Sequence, residues 1–492
     1  MKNERSAAEQ TIVFYCPLNS QHGGRSLCKS FSTLAFVALL VALVVFPRCA
    51  AEAAPTTKKT AAKTPPKTSS KSKKRRKAPP KAPPVSAKAR AEALDAVENS
   101  LARAAELSIE NPAALVPFFE QLYRHSHDEA EGPVRIIHYG NSHTAADEWT
   151  GAIRALFQGQ FGDGGSGYSL AGRPWRSYRH IGIRAGGTLG WYSDGLFGRQ
   201  GDGRYGLGGV SVSTRRPRES VFLEAEAENV ELFYLRQPGG GTLRLTDNGV
   251  AVDKISTDGE LGPAYFRYKP AEAGTHRLEL TTLERAPVRL FGWVAEKDKG
   301  VTYEPMGING ASASIVFRWD EETLASNLAR RAPALVVLAY GTNEASNKDW
   351  NLENYREMFS TLIGRFRAAL PAATILVLGP PDRQYRTKGK WLPFDRMDAI
   401  VEAQRQAAIA NGCAFWDTRE KMGGKGSMKE WTLSGLAQYD HVHFTGPGYR
   451  RMGYIFFRDL MTQYETYTAL RSQLQIPVEP KQADNGHTDK DR

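Results

Sequence analysis

Cysteine is nearly missing from this chain: four residues in 492, at Cys16, Cys28, Cys49 and Cys413. The first three fall in or beside an N-terminal targeting segment, so only Cys413 belongs to the folded region, which is expected to hold no internal disulfide. An apolar run of membrane-spanning length is missing too. Residues 33–46 are continuously apolar, but a span needs about 20 such residues. With Arg25 and Lys29 before it and an Ala-rich stretch after Pro47, the run reads as a signal-peptide core or an N-terminal anchor, residues 1–54. Phe46-Pro47-Arg48-Cys49 makes a poor lipoprotein box, because Arg48 sits where a small residue is needed. Acidic residues are absent between Lys58 and Arg90, where thirteen of the chain's 65 Lys and Arg lie; the other basic residues nearly balance the 53 Asp and Glu. The net charge of +12 is therefore a property of a Lys/Pro-rich linker, residues 55–88, and not of a folded surface. That linker suits attraction to anionic envelope polymers. It lacks aromatic residues for base stacking, so no specific nucleic-acid binding is expected.

What is present alternates between two patterns. Residues 334–340 are a continuous apolar run, and 134–139, 374–379, 413–416 and 303–308 are read as further, largely apolar strands. Helical patterns occupy 89–107, 113–125, 146–160, 320–331, 352–369, 395–410 and 447–467. Apolar strands between amphipathic helices imply a parallel sheet covered on both faces. Between 206 and 298 the pattern changes to short alternating strands separated by turns such as Asp247-Asn248-Gly249 and Gly239-Gly240-Gly241, which predicts a β-sandwich. The expected organisation is an α/β domain in two parts, 89–205 and 299–472, interrupted by an all-β insert at 206–298 and followed by a disordered tail at 473–492. Tyr234, Tyr265, Phe266 and Trp293 of the insert are candidates for sandwich core or for sugar stacking.

Ligands of a parallel sheet bind beyond the carboxyl ends of its strands. Ser142 follows the first strand, Gly310 the second and Asn343 the third, so the three are expected at one rim. A serine hydroxyl there needs a base. Asp440 and His443 have the spacing for one: the carboxylate reaches Nδ1 and leaves Nε2 facing the hydroxyl. His441 is the competing base. The backbone N–H groups of Ser142 and Gly310 and the side-chain amide of Asn343 can form an oxyanion hole. His138, His143, His441 and His443 show no ligand pair on a helix face, so no metal is expected, and no cofactor. His143 reads as a structural hydrogen-bonding residue or a substrate contact. The loop 162–167 is glycine-rich but lacks the Lys of a phosphate cradle, and is read as a rim loop or lid.

These segments, GNSHT at 140–144, GINGAS at 307–312, YGTNE at 340–344 and DHVHF at 440–444, resemble the SGNH (GDSL-type) hydrolases over roughly 134–185 and 300–467. The resemblance implies a flavodoxin-like three-layer α/β domain and metal-free ester hydrolysis or acyl transfer, with Ser142, Asp440 and His443 as the triad. Asn141 departs from the family, which commonly has Asp before the serine. The inserted sandwich, with HTAADEWTG and FGDGGSGY, further resembles the peptidoglycan O-acetylesterases, whose insert is similar to a carbohydrate-binding module. That resemblance implies an exported, periplasmic or envelope enzyme acting on O-acetylated glycan. An O-acyltransferase with the same triad and a catalytically silent glycan-binding protein are the alternatives.

Overall fold

The computed structural model describes residues 84–103, 108–196, 201–347 and 351–474. The targeting segment, the linker up to residue 83 and the polar tail from 475 lie outside the described residues, as do Cys16, Cys28 and Cys49. Cys413 is buried and unpaired.

Five parallel strands form the main sheet: β1 (Val134–Gly140), β2 (Val301–Gly307), β3 (Leu335–Ala339), β4 (Thr374–Gly379) and β5 (Ala414–Asp417). Their spatial order is β2-β1-β3-β4-β5, all in parallel register. This is the flavodoxin-like order. A two-residue strand, Ile109–Glu110, closes the β5 edge in antiparallel register. It is too short to leave a pattern in the sequence.

The near-continuous apolar character of β3 and β4 follows from burial of both faces, since successive side chains point to opposite sides. Ile136 and Val337 pack with Trp149 and Phe157 of α2 (Glu148–Phe161) and with Met452 and Phe456 of α6 (Gly446–Gln473). Their neighbours Ile137 and Val336 pack on the other face, with Tyr355 of α4 (Leu352–Ala369) and Met397 of α5 (Met397–Ala410). A short helix, α1 (Ser142–Ala145), precedes α2, and α3 (Glu321–Arg331) leads into β3. At about 1.5–3 kcal/mol per fully buried large apolar side chain, such a core holds without cross-links.

The insert is two antiparallel sheets, one of five strands and one of six. Its sheets begin before residue 206: Gly167–Leu170 pairs with Val288–Glu296, Arg184–Gly187 with Ser220–Ala227, and Tyr192–Asp194 with Ser211–Thr214. These three segments are short, and Arg184-Ala185-Gly186-Gly187 carries no apolar alternation, so the sequence pattern placed the boundary too late. Tyr234 and Trp293 are buried in the insert. Tyr265 and Phe266 are half-buried, with Tyr265 against the Arg330 guanidinium of α3.

The insert is fused to the α/β domain. Tyr168, Phe233 and Val294 share one apolar cluster with Tyr139 and Met306 of the main sheet. Arg331 of α3 lies between Glu304 of β2 and Glu296 of the insert, with Arg135 of β1 donating to Glu296 at 2.9 Å. Burial would raise the Glu296 carboxyl, but the guanidinium groups of Arg331 and Arg135 hold it at about 2. Removing one partner from such a buried network costs about 3–5 kcal/mol.

The glycine loop at 162–167 is not a rim loop. It hydrogen-bonds to Val301, the first residue of β2: Gly164 N donates to Val301 O at 3.2 Å and Val301 N to Gly162 O at 2.9 Å. The α2 helix starts at the carboxyl edge of the sheet and runs back along it, which delivers its C-terminal loop to the opposite edge. The glycines there serve close packing: a Cβ on Gly164 would lie 2.8 Å from the Val301 carbonyl carbon.

Candidate active site

Register brings the strand ends together. Gly140 pairs with Gly307 of β2 and with Ala339 of β3, so Ser142, Gly310 and Asn343 all lie just past one edge of three adjacent strands. Two glycines permit the approach. A Cβ on Gly140 would meet Thr144 Oγ1 at 2.2 Å, and one on Gly307 would meet Ala145 N at 2.1 Å. The first turn of α1 therefore rests directly on the β2 backbone.

Asn141 caps that turn, its Oδ1 accepting from His143 N at 3.0 Å. Only an acceptor is used in this bond, and an amide oxygen supplies it as a carboxylate would. The departure from Asp before the serine keeps this contact.

Ser142 is half-buried, and its Oγ is 2.9 Å from His443 Nε2. On the other side of the ring, His443 Nδ1 is 2.7 Å from Asp440 Oδ2. Asp440 Oδ1 meanwhile accepts from Val442 N at 2.9 Å and His443 N at 3.0 Å. One carboxylate thus closes its own turn and orients the ring. Partial burial pushes the Asp440 carboxyl up, but the bonds from the His443 ring and the two N–H groups outweigh it and hold it at about 2. Because the folded value lies below the ordinary 3.8, this turn's contribution to stability is present above that pH and is lost as pH falls through about 2.

His441 does not compete as the base. Its ring stacks on Trp391 with centroids 4.0 Å apart, and its Nδ1 is 2.7 Å from Gln384 Oε1. Its backbone has φ +55°, and its carbonyl accepts from Gln384 N at 3.0 Å. His441 anchors the loop that carries Asp440 and His443. Trp391 belongs to a hairpin, Gln384–Thr387 with Lys390–Pro393, that the sequence reading missed. His143 is structural by its contacts: its Nδ1 is hydrogen-bonded to the Tyr449 hydroxyl of α6 at 3.0 Å, and its ring lies 5.2 Å from that of His443. Burial, then the neighbouring His443, pushes it well below the ordinary histidine range, so a neutral ring supports the base from below.

Asn343 Nδ2 donates to Ala311 O at 2.8 Å. A primary amide carries two N–H groups, so the second remains to donate to a substrate oxygen. Glu344, to which the sequence reading gave no role, is the clamp between these segments. Its Oε1 accepts from Ala313 N at 2.8 Å and its Oε2 from Gly341 N at 3.0 Å, joining the loop after β2 to the loop after β3. Burial raises its carboxyl and the backbone N–H groups oppose this. Arg383, beyond the end of β4, donates to Thr342 O and to Ser346 Oγ. It was also missed, although the strand-end reasoning that found the other three applies to β4 as well. Replacing Asn343 with Ala is expected to lower kcat about 10²–10³-fold with little change in KM, measured on an aryl acetate. A loss confined to KM would remove the amide from the oxyanion site.

A hydroxyl, an oriented imidazole and an ionised carboxylate in line, with amide donors at the same edge, are the components of acyl transfer through a serine. The GDSL-like lipase/acylhydrolase family matches residues 275–451. The match takes in Asn343, Asp440 and His443, begins inside the insert and leaves out the serine segment. With the 2-1-3-4-5 sheet, it supports an acylhydrolase of the SGNH type, whose chemistry is carboxylic ester hydrolysis. Within that class it resembles a peptidoglycan O-acetylesterase of solved structure, at 28% identity over 71% of this chain and 96% of that one, with a TM-score of 0.62. A family two carbohydrate esterase from Cellvibrio japonicus also matches, over 57% of this chain and 98% of that one. Its 11% identity and TM-score of 0.25 carry no weight here. A comparison with curated protein sequences finds no match.

Proposed function

We propose that the protein is a serine esterase that removes O-acetyl groups from an envelope glycan, with peptidoglycan as the substrate. The observation that carries this reading is the unbroken line Ser142 Oγ to His443 Nε2 and His443 Nδ1 to Asp440 Oδ2. Ser142 Oγ attacks the acetyl carbonyl carbon as its proton passes to His443 Nε2. The tetrahedral oxyanion is held by Ser142 N, Gly310 N and the free N–H of Asn343. When the ester C–O bond breaks, His443 returns the proton to the departing sugar oxygen. Water, activated by the same ring, then resolves the acetyl-serine and releases acetate. Asp440 keeps the ring in the tautomer that accepts from serine and stabilises the imidazolium.

The glycan assignment is supported by the relative at 28% identity, which is a peptidoglycan O-acetylesterase. An envelope location is supported by the apolar segment at 33–46 and the basic linker, which would hold the enzyme near anionic polymers, either after cleavage or on a retained anchor. The test is acetate release from O-acetylated peptidoglycan, with unacetylated glycan present as acceptor. Acetate is expected to account for all acetyl groups lost. Acetyl groups reappearing on the acceptor faster than acetate would make the protein a transferase, and no release from peptidoglycan despite turnover of an aryl acetate would remove the glycan assignment.

A further inference from the structure

The insert contains a cavity of about 750 Å³, separate from the serine edge, lined by Tyr192, Arg215, Arg216, Gln237, Arg285 and Arg289 among others. Its four arginines come from three places in the chain: the segment after Ser211–Thr214, the turn before Val288–Glu296, and that strand itself. Only Arg289 is neutralised, by Asp202 at 2.7 Å. Arg215, Arg216 and Arg285 are exposed and have no carboxylate partner among the described residues. Solvated surface arginines ordinarily spread apart. Three unpaired guanidinium groups around one concavity repel each other and focus a positive potential into it. The exposed ring of Tyr192 (60% accessible) supplies an apolar face at the same site, the combination that a charged sugar needs.

A single loop joins this cavity to the serine edge. Ser193, next to Tyr192, donates to Pro174 O at 2.6 Å. Three residues on, Ser177 Oγ accepts from Asn309 Nδ2 at 3.4 Å, and Asn309 precedes Gly310. The loop is pinned at its far end by buried Asp147, which accepts from Ile181 N at 2.5 Å and Arg154 at 2.8 Å. It presents three more exposed arginines, Arg173, Arg176 and Arg179, the last paired with Glu148 at 2.5 Å.

We infer that the arginine-lined cavity of the insert binds a carboxylate-bearing stretch of the glycan and that the 172–180 loop leads the chain from there to Ser142. This deepens the esterase reading and rests on it for the identity of the glycan. The guanidinium fork matches a carboxylate in bidentate fashion, so a neutral glycan lacks the recognised group. The carboxylates can sit on the sugars themselves or on their appended peptides.

The experiment is calorimetric titration of the full chain carrying Ser142→Ala, which prevents turnover. The probes are a soluble peptidoglycan fragment with its peptides, an oligogalacturonate and neutral chitohexaose. A charged glycan is expected to bind with a Kd at least about tenfold below that of chitohexaose, and its Kd should rise with salt. The added pair R215Q and R285Q should raise that Kd at least about tenfold with an unchanged thermal melt. Binding of the oligogalacturonate, the fragment or both would support the site and show where the carboxylates lie. Equal binding of chitohexaose, no effect of the arginine pair, or no binding of either charged glycan would overturn it. Wild-type turnover of an aryl acetate separates the two readings: turnover without arginine-dependent binding leaves the esterase and removes the cavity, and the reverse leaves a binding site without the chemistry.

Discussion

Ser142→Ala is expected to lower kcat on an aryl acetate by about 10³-fold or more, leaving only the rate that binding and oxyanion donors provide. The reason is chemical and not conformational. The Ser142 Oγ has a described hydrogen bond to the His443 ring alone, whereas its backbone is held by the Asn141-capped turn and by close packing on Gly307. Removing the hydroxyl therefore deletes the nucleophile and should leave the thermal melt where it was. Turnover within tenfold of the wild type, with the fold intact, would place the nucleophile elsewhere.

Asp440→Asn should cost about 10²–10⁴-fold in kcat. An amide placed where the carboxylate sits can donate to His443 Nδ1. That drives the ring proton to Nε2, the atom that must accept from serine. The Oδ1 contacts to Val442 N and His443 N can persist with an amide oxygen, so the turn itself is expected to survive. The pH profile separates this from a structural effect. With Asp440 held at about 2, its own protonation adds no acid limb above about pH 4, so kcat of the variant should lie below that of the wild type throughout roughly pH 5–8. A variant that matches the wild type at any pH in that range would remove Asp440 from the reaction.

Much of this architecture was legible because its determinants are local. The runs at 134–139, 334–340 and 374–379 are buried on both faces, and that condition writes itself into consecutive residues. Position past a strand end then sufficed to bring Ser142, Gly310 and Asn343 to one edge. What was not legible depends on partners distant in sequence. Nothing near Glu344 signals that its carboxylate bridges Ala313 and Gly341, and nothing near His441 signals Trp391. The glycine loop at 162–167 misled for a related reason. Its composition fits either end of the sheet, and only the direction of α2 decides between them. The early insert strands failed because a strand of three or four residues with glycines offers no period to read.

Ser142 and His443 are 301 residues apart in sequence, and the insert occupies much of that distance. A growing chain therefore exposes its serine long before the base exists, and β1 must wait for residues 301–307 and 335–339 before either of its edges is paired. Contacts of this separation form late and slowly. If His443 is the base, the site is complete only once the last loop and α6 are in place, and a chain truncated before residue 443 should show no ester hydrolysis.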